Sequence, residues 1–416
     1  MPQRSSSSDA ATTDSAAGGE GGGSTLLAVG AGVPAAMRRP VWRFSDYRIG
    51  ARLYRGEVSS VYKATCLHSG MRVVLKVYDL QRVPENAVHT IVREIRIHTD
   101  LVHPNILALY GVFEEHERAV LVLESAARGD LFRIHRELPG CRMNEDQLRA
   151  LVLVPLLESL AYLHSRGICH RDIKPENLLL TADWKLRVAD LGAAIDLNAE
   201  RAVTRTGTME YMAPEVCRCP LKAGPYDNKD VPGLAYSTAA DVWSVGILAF
   251  EMLVGFPPCI QLPCGRRVSA AADAGVAGLS FPNFVSAGGQ DFITLALAER
   301  AGDRPTAAQL LRHPWLKHAV RIARASTAAA AAAAAAAQPP PAPSAAAAMS
   351  LRAAGLATAI AVATATVPVA GQGLAPVTAP QHERRVASGS TSVGRMATVR
   401  EAPTPAFSRS NLAVAI

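Results

Sequence analysis

Three short segments hold side chains that could do chemistry together. His170-Arg171-Asp172-Ile173-Lys174-Pro175-Glu176-Asn177 is followed, 13 residues after Asn177, by Asp190-Leu191-Gly192, and then by Ala213-Pro214-Glu215. Asn177 and Asp190 offer hard oxygen ligands of the kind a divalent cation takes. A carboxylate such as Asp172 can orient a hydroxyl or accept its proton. Lys174 brings a positive charge close to that carboxylate. Upstream, Lys76 ends the apolar run Val73-Val74-Leu75, where an unpaired ammonium would be costly. Glu94 stands 18 residues on, in a stretch with helical spacing. The chemistry these types suit is transfer of an anionic group to a hydroxyl, which needs positioning and charge neutralisation more than covalent help.

The three segments in this order are the signature of the eukaryotic serine/threonine protein kinases, which the chain resembles over residues 44–318. The resemblance implies a two-lobed α+β fold, with a small β-rich N-lobe carrying one key helix and a large α-helical C-lobe. It implies ATP and Mg²⁺ as cofactors, with Asn177 and Asp190 as metal ligands. Asp172 and Lys174 then become the catalytic pair, and Lys76 holds the α- and β-phosphates while paired with Glu94. Leu53, Gly56, Val61 and Val74 would enclose the nucleotide. Leu123 sits at the back, and Glu124-Ser125-Ala126 form the hinge that binds adenine, with Glu124 and Ala126 as the contacts. His98, Leu109, His170 and Leu191 match the side chains that couple the lobes. Thr208 is expected to orient Asp172 and Lys174, Asp241 to anchor the catalytic loop, and Arg304 to pair with Glu215.

One element departs from the pattern. The three glycine positions of the phosphate-covering loop fall on Tyr54, Gly56 and Ser59, so only one is glycine. Glycines there let the backbone approach phosphates closely. This keeps open the alternative of a pseudokinase scaffold with weakened ATP binding. Leu191 replaces the usual phenylalanine and keeps an apolar residue.

Within the kinases the chain is most similar to the Aurora family. The stretches that carry this are His103-Pro104-Asn105-Ile106-Leu107-Ala108-Leu109-Tyr110-Gly111, His170 through Leu180, Gly207-Thr208-Met209-Glu210-Tyr211 and Leu253-Val254-Gly255-Phe256-Pro257-Pro258. Thr204 then falls on the activation-loop phosphothreonine, with Arg171 able to meet its phosphate. Glu176 and Asp130 match acidic positions that attract arginine upstream of a phosphoacceptor. Protein substrates with Ser or Thr, preferably with upstream arginine, are expected. Ser388, after Arg384-Arg385-Val386-Ala387, is a candidate autophosphorylation site. The resemblance also implies a cytoskeletal or activating protein partner. An insertion, roughly 218–236, separates Glu215 from Asp241.

The elements that must position these residues are legible in the texture of the chain. Val58–Ala64 and Arg72–Tyr78 are β-branched runs joined by His68-Ser69-Gly70, a hairpin signal. Val88–Leu101 has helical spacing, and Ala119–Leu123 reads as a buried strand. After Asp130 helical patterns dominate, including Gln147–Ser165 and Thr238–Val254. Strands first and helices later indicate two lobes.

Composition bounds the rest. Hydrophobic residues make up 49% of the 416, but aromatics only 5%, because alanine tracts inflate the total. Residues 1–43 are Ser, Gly and Ala-rich and 319–416 are Ala and Pro-rich, so both are expected to be disordered. Ser326 could cap a short helix over Ala328–Ala337, which Pro339 would end. The net charge of +7 comes without any basic block interleaved with aromatics, so no nucleic-acid module is expected. Ala353–Val367 is too short to span a bilayer. Seven cysteines without zinc spacing read as reduced thiols. A monomer inside the cell, in the cytoplasm or nucleus and with cytoskeletal association open, is the expectation.

Overall fold

The computed structural model describes residues 23–221, 224, 226–258 and 279–336. The N-lobe is a six-stranded antiparallel sheet in the order β1-β5-β6-β4-β3-β2. Its strands are β1 (Thr25–Val29), β2 (Tyr47–Arg55), β3 (Ser59–Cys66), β4 (Arg72–Asp79), β5 (Leu109–Glu115) and β6 (Arg118–Glu124). The expected hairpin is β3–β4, with Gly70 at φ 69°, a conformation glycine takes without steric cost. β4 pairs with β6 so that Lys76 faces Leu121 and Val74 faces Leu123. Both faces of this sheet are buried, which is why its central strands are continuous apolar runs.

Helix α1 (Glu85–Thr99) crosses one face of the sheet. Val88, Ile91, Val92 and Ile95 repeat at helical spacing and join a core with Leu109, Val112, Leu121 and Leu123. Glu94 lies on the same buried side.

The C-lobe is helical. Its largest core gathers the helix running from Glu145 to Ser165 and the helix Ala239–Val254. Leu148–Leu153 within the first is wound as a π-helix, and Pro155 comes two residues after it. That helix is long and apolar enough to cross a membrane by length and composition, but Leu148, Val152, Leu153, Leu156, Leu157, Leu160 and Leu163 bury in the lobe core.

The expectation of disorder over residues 1–43 fails for nearly its second half. Thr25–Val29 pairs with β5, and Val33, Met37 and Trp42 are buried against the sheet. Composition concealed this because Ser, Gly and Ala dominate the stretch before it, while Leu26, Leu27, Val29, Val33, Met37 and Trp42 fall in a short strand and turns with no sustained period. At the other boundary, the helix Lys317–Ala336 continues past 318, so Ser326 lies inside it and does not cap it. Helix to Ala336 is what alanine propensity favours. Residues 326–405 form a second unit, of which only this helical continuation is described. Ser388 and Ala353–Val367 lie outside the described residues.

Candidate active site

Lys76 leaves the central strand β4 and enters the cleft beside α1. Its Nζ donates to Glu94 Oε1 at 2.8 Å and to Asp190 Oδ1 at 2.9 Å. Burial alone would lower the Lys76 pKa, but Glu94, Tyr78 and Asp190 outweigh it and hold the ammonium well above its ordinary value. Lys76 in turn pulls the Asp190 carboxyl down to about 2. Both groups are therefore ionised at neutral pH. The other oxygen of Glu94 accepts a hydrogen bond from Tyr78 Oη at 2.6 Å. Sequence reading missed Tyr78; its place two residues after Lys76 on the same strand face is the signal that could have found it.

The catalytic loop is held from below. Asp241, fully buried near the start of its helix, accepts from His170 N at 2.9 Å, Arg171 N at 2.8 Å and His164 Nε2 at 2.9 Å. Burial opposes its charge, but these hydrogen bonds and the two histidines prevail, so its pKa lies below the usual value. Arg171 sits at φ 69°, a left-handed backbone costly for a side-chain-bearing residue. The Asp241 carboxylate compensates that strain through two backbone N–H groups.

Above this anchor Asp172 is fixed at both oxygens. Oδ1 accepts from Thr208 N at 2.9 Å and Thr208 Oγ1 at 2.8 Å, while Oδ2 accepts from Asn177 Nδ2 at 2.9 Å and meets Lys174 Nζ at 2.9 Å. Lys174 also donates to Thr208 Oγ1 at 2.6 Å. Asn177 spends its amide nitrogen on Asp172, which leaves its carbonyl oxygen for a cation. Asn177 and Asp190 are thus a fitting hard-oxygen donor pair for Mg²⁺. The Asp190 backbone is left-handed, at φ 59°, and its carboxylate caps the turn Leu191–Ala193 that packs on α1.

The nucleotide side of the cleft is apolar. Val74, Ala126 and Leu179 are half-buried against a cluster that includes Leu123 and Ala189. Leu179 was not anticipated. Leu53 is exposed and Val61 half-buried on the strands above. Glu124 Oε1 and Oε2 accept from Arg187 Nε at 2.9 and 3.0 Å, so its side chain is engaged and its role toward a ligand falls to its backbone. The phosphate-covering turn forms despite its missing glycines. Gly56 N donates to Ser59 O at 2.8 Å, and a Cβ on Gly56 would lie 3.0 Å from the Tyr54 ring. His98, Leu109, His170 and Leu191 are all buried, Leu109 in the N-lobe core and Leu191 in the C-lobe core.

A profile of the protein kinase domain matches residues 47–316. The chain belongs to the protein kinase family. It is 34% identical over 292 residues to serine/threonine-protein kinase Aurora-1 of Arabidopsis thaliana, covering 70% of this chain and 92% of that protein. It is 34% identical over 283 residues to Aurora kinase A-A of Xenopus laevis, covering 67% of this chain. That match spans 64% of the Xenopus protein's length. Among the kinases it is therefore an Aurora-like serine/threonine member, and a divergent one.

The activation segment of this kinase runs from Asp190 to Glu215. Its end is locked by Arg304, which donates to Glu215 Oε1 at 2.6 Å and Oε2 at 2.8 Å in a bidentate pair. Its middle is held by the insertion. Tyr236 N donates to Ala202 O at 2.9 Å, and Tyr236 Oη to Thr204 O at 2.8 Å. Lys229 Nζ donates to Glu200 Oε2 at 2.6 Å, and Glu200 Oε1 accepts from Arg93 Nη1 of α1 at 2.9 Å. Thr204 lines a cavity of about 300 Å³ together with His89, Arg93, Arg171, Glu200 and Lys229. Sequence reading had named only Arg171 for this region, because the other bases arrive from distant elements. Asp130, expected to read substrate arginine, caps the helix Leu131–Glu137 by accepting from Arg133 N at 2.8 Å. Glu251 was not anticipated. It is buried, accepts from the Tyr211 hydroxyl, and feels Glu176 and Glu210.

Proposed function

We propose that this chain transfers the γ-phosphoryl group of Mg-ATP to Ser or Thr hydroxyls of proteins. The observation that carries the reading is one cleft in which Lys76 spans Glu94 and Asp190 while Asp172 is fixed by Thr208, Asn177 and Lys174. In this reading Lys76 binds the α- and β-phosphates, and Asn177 and Asp190 hold Mg²⁺, which supplies charge neutralisation for the phosphates. Asp172, unable to rotate, orients the substrate hydroxyl and takes its proton as that oxygen bonds to phosphorus. The bond from the γ-phosphorus to the bridging oxygen breaks, ADP leaves, and Lys174 offsets the charge on the transferring group.

Regulation by phosphorylation at Thr204 belongs to the proposal. Burial and the neighbouring Arg171 depress the Arg93 pKa, and Arg93 Nε is buried without a partner among the described residues. A buried donor beside two further bases, His89 and Lys229, suits a phosphate on Thr204. A preference for arginine in substrates is supported by the acidic group Glu176, Glu210 and Glu251. Burial, then Glu176 and Glu210, raise the Glu251 pKa, and a bound guanidinium would relieve that repulsion. We further place the enzyme in the cytoplasm or nucleus, acting on protein substrates with or without a cytoskeletal partner.

Tyr54 and Ser59 in the phosphate-covering turn favour the second reading, a scaffold that binds without catalysis. A peptide array with radiolabelled Mg-ATP, run on the wild type and Asp190→Ala, decides between them. Incorporation in the wild type alone, with arginine-directed peptides preferred and Thr204 occupied by mass spectrometry, is the expected result. Equal signal in both proteins removes the enzyme reading.

A further inference from the structure

The outermost strand of the N-lobe sheet, β1, comes from the very segment whose composition reads as disordered. It pairs antiparallel with β5, setting Thr25 opposite Glu114, Leu26 opposite Phe113, Ala28 opposite Val112 and Val29 opposite Gly111. Without β1, the outer edge of β5 would present unpaired N–H and C=O groups. The chain then turns back on α1. Gly30 N donates to Tyr110 O at 3.2 Å, and Ala31 N donates to the carbonyl of Thr99, the last residue of α1, at 2.9 Å. The carbonyls of a helix's last turn have no partner within the helix, and this bond supplies one from outside.

Three further observations make the contact specific. A Cβ on Gly30 would lie 1.9 Å from Leu109 O, so only glycine permits the approach. Leu27 and Ala28 pack on the apolar cluster that includes Val88, Ile91, Val92 and Ile95 of α1. Beyond the turn, Val33, Met37 and Trp42 bury on the opposite face of the sheet with Tyr47, Phe113 and Val120. Trp42 Nε1 donates to Arg39 O at 3.0 Å, and the Arg39 guanidinium stacks 4.3 Å above the Trp42 ring. One segment therefore grips the sheet on both faces and the C-terminal end of the helix that carries Glu94.

We propose that residues 24–42 are a built-in clamp that holds α1 in its catalytic position, so that Glu94 meets Lys76 without a second protein. Leu27, Ala28, Gly30 and Ala31 are positioning residues; none touches the reacting groups. A strand added to a free sheet edge is a general mode of peptide capture, here supplied by the chain itself. Because Glu94 and Thr99 lie on one continuous α-helix, fixing Thr99 restrains Glu94 five residues earlier. The proposal rests on the kinase reading above, and activity of the unmodified full chain tests that reading separately.

The experiment compares the full chain with its Gly30→Val variant in a peptide phosphorylation assay at varied ATP. A peptide spanning residues 24–42 is then added in trans. The expected result is a fall in kcat/KM for ATP of about tenfold, the size expected for losing a backbone hydrogen bond and its packing. The KM for ATP rises more than kcat falls, circular dichroism is unchanged, and the peptide restores activity saturably. A folded variant within twofold of wild type overturns the clamp, as does a loss the peptide leaves unrestored. If Gly30→Val does not fold, Ala31→Pro decides by the same criteria, since it removes the N–H that reaches Thr99. An inactive unmodified chain would instead sink the kinase reading.

Discussion

Replacing Tyr78 by phenylalanine is the sharpest test of how the cleft is held together. Glu94 is 3% exposed and divides its two oxygens between Lys76 Nζ and Tyr78 Oη. Burial, and then the charge of Glu94, push the Tyr78 phenol above its ordinary pKa, so it donates at all physiological pH. Tyr78→Phe keeps the ring in place and deletes the hydroxyl alone. One carboxylate oxygen is then left buried without its donor. A hydrogen bond to a charged group is worth about 1.5–3 kcal/mol, and about 1.4 kcal/mol is tenfold in rate or affinity. Lys76 still holds the other oxygen, so the low end of that range applies, and kcat/KM for ATP should fall about tenfold. The assay is initial-rate phosphorylation of a peptide across ATP concentrations, with circular dichroism and a thermal melt on the same preparations. A folded Tyr78→Phe protein within twofold of wild type would refute the reasoning, because Lys76 alone would then suffice to place Glu94.

Glu251→Gln should lower kcat/KM for arginine-directed peptides about tenfold while leaving alanine-directed peptides nearly unchanged, measured on paired peptides. Equal losses on both would show that the acidic group does not read arginine. Asp241→Asn should cut kcat by tenfold or more with ATP KM little changed, because the His170 and Arg171 amides lose a charged acceptor. The folded Asp241 pKa is depressed, so its contribution to stability is complete above the ordinary carboxyl pKa and vanishes as pH falls through the folded value. Melts of wild type and Asp241→Asn should therefore converge in acid, and a constant gap down to about pH 2 would contradict the assignment. Arg304→Lys should destabilise by about 2–4 kcal/mol, since a buried guanidinium that fits Glu215 bidentately is replaced by a point charge. Urea denaturation reads this, and a change under about 0.5 kcal/mol would count against it.

Short-range patterns are where sequence reading succeeded. The β3–β4 hairpin, the helix over Glu85–Thr99 and the strand Arg118–Glu124 all lie within a few residues of the expected spans. Periodicity reports which side of an element is buried, and burial follows from neighbours three or four residues away. Asp172, Lys174 and Asn177 were legible because one loop carries all three at short spacing. The same logic failed for residues 23–43, where a five-residue strand, a turn and a buried tryptophan are too short as elements to produce a period. For Asp130 the sequence did not show that one carboxylate oxygen also caps the helix Leu131–Glu137.

From the sequence alone came the inventory of reactive groups and the lobes that bear them, because those depend on residue type and local spacing. Tertiary structure decided who meets whom across long intervals of chain. It brought Arg93 and Lys229 to Glu200, and Ala31 to the end of α1. No local rule anticipates such pairs: each closes a loop whose entropic cost is met by the burial of everything around it, and the partner is whichever group the folded lobes deliver to that point.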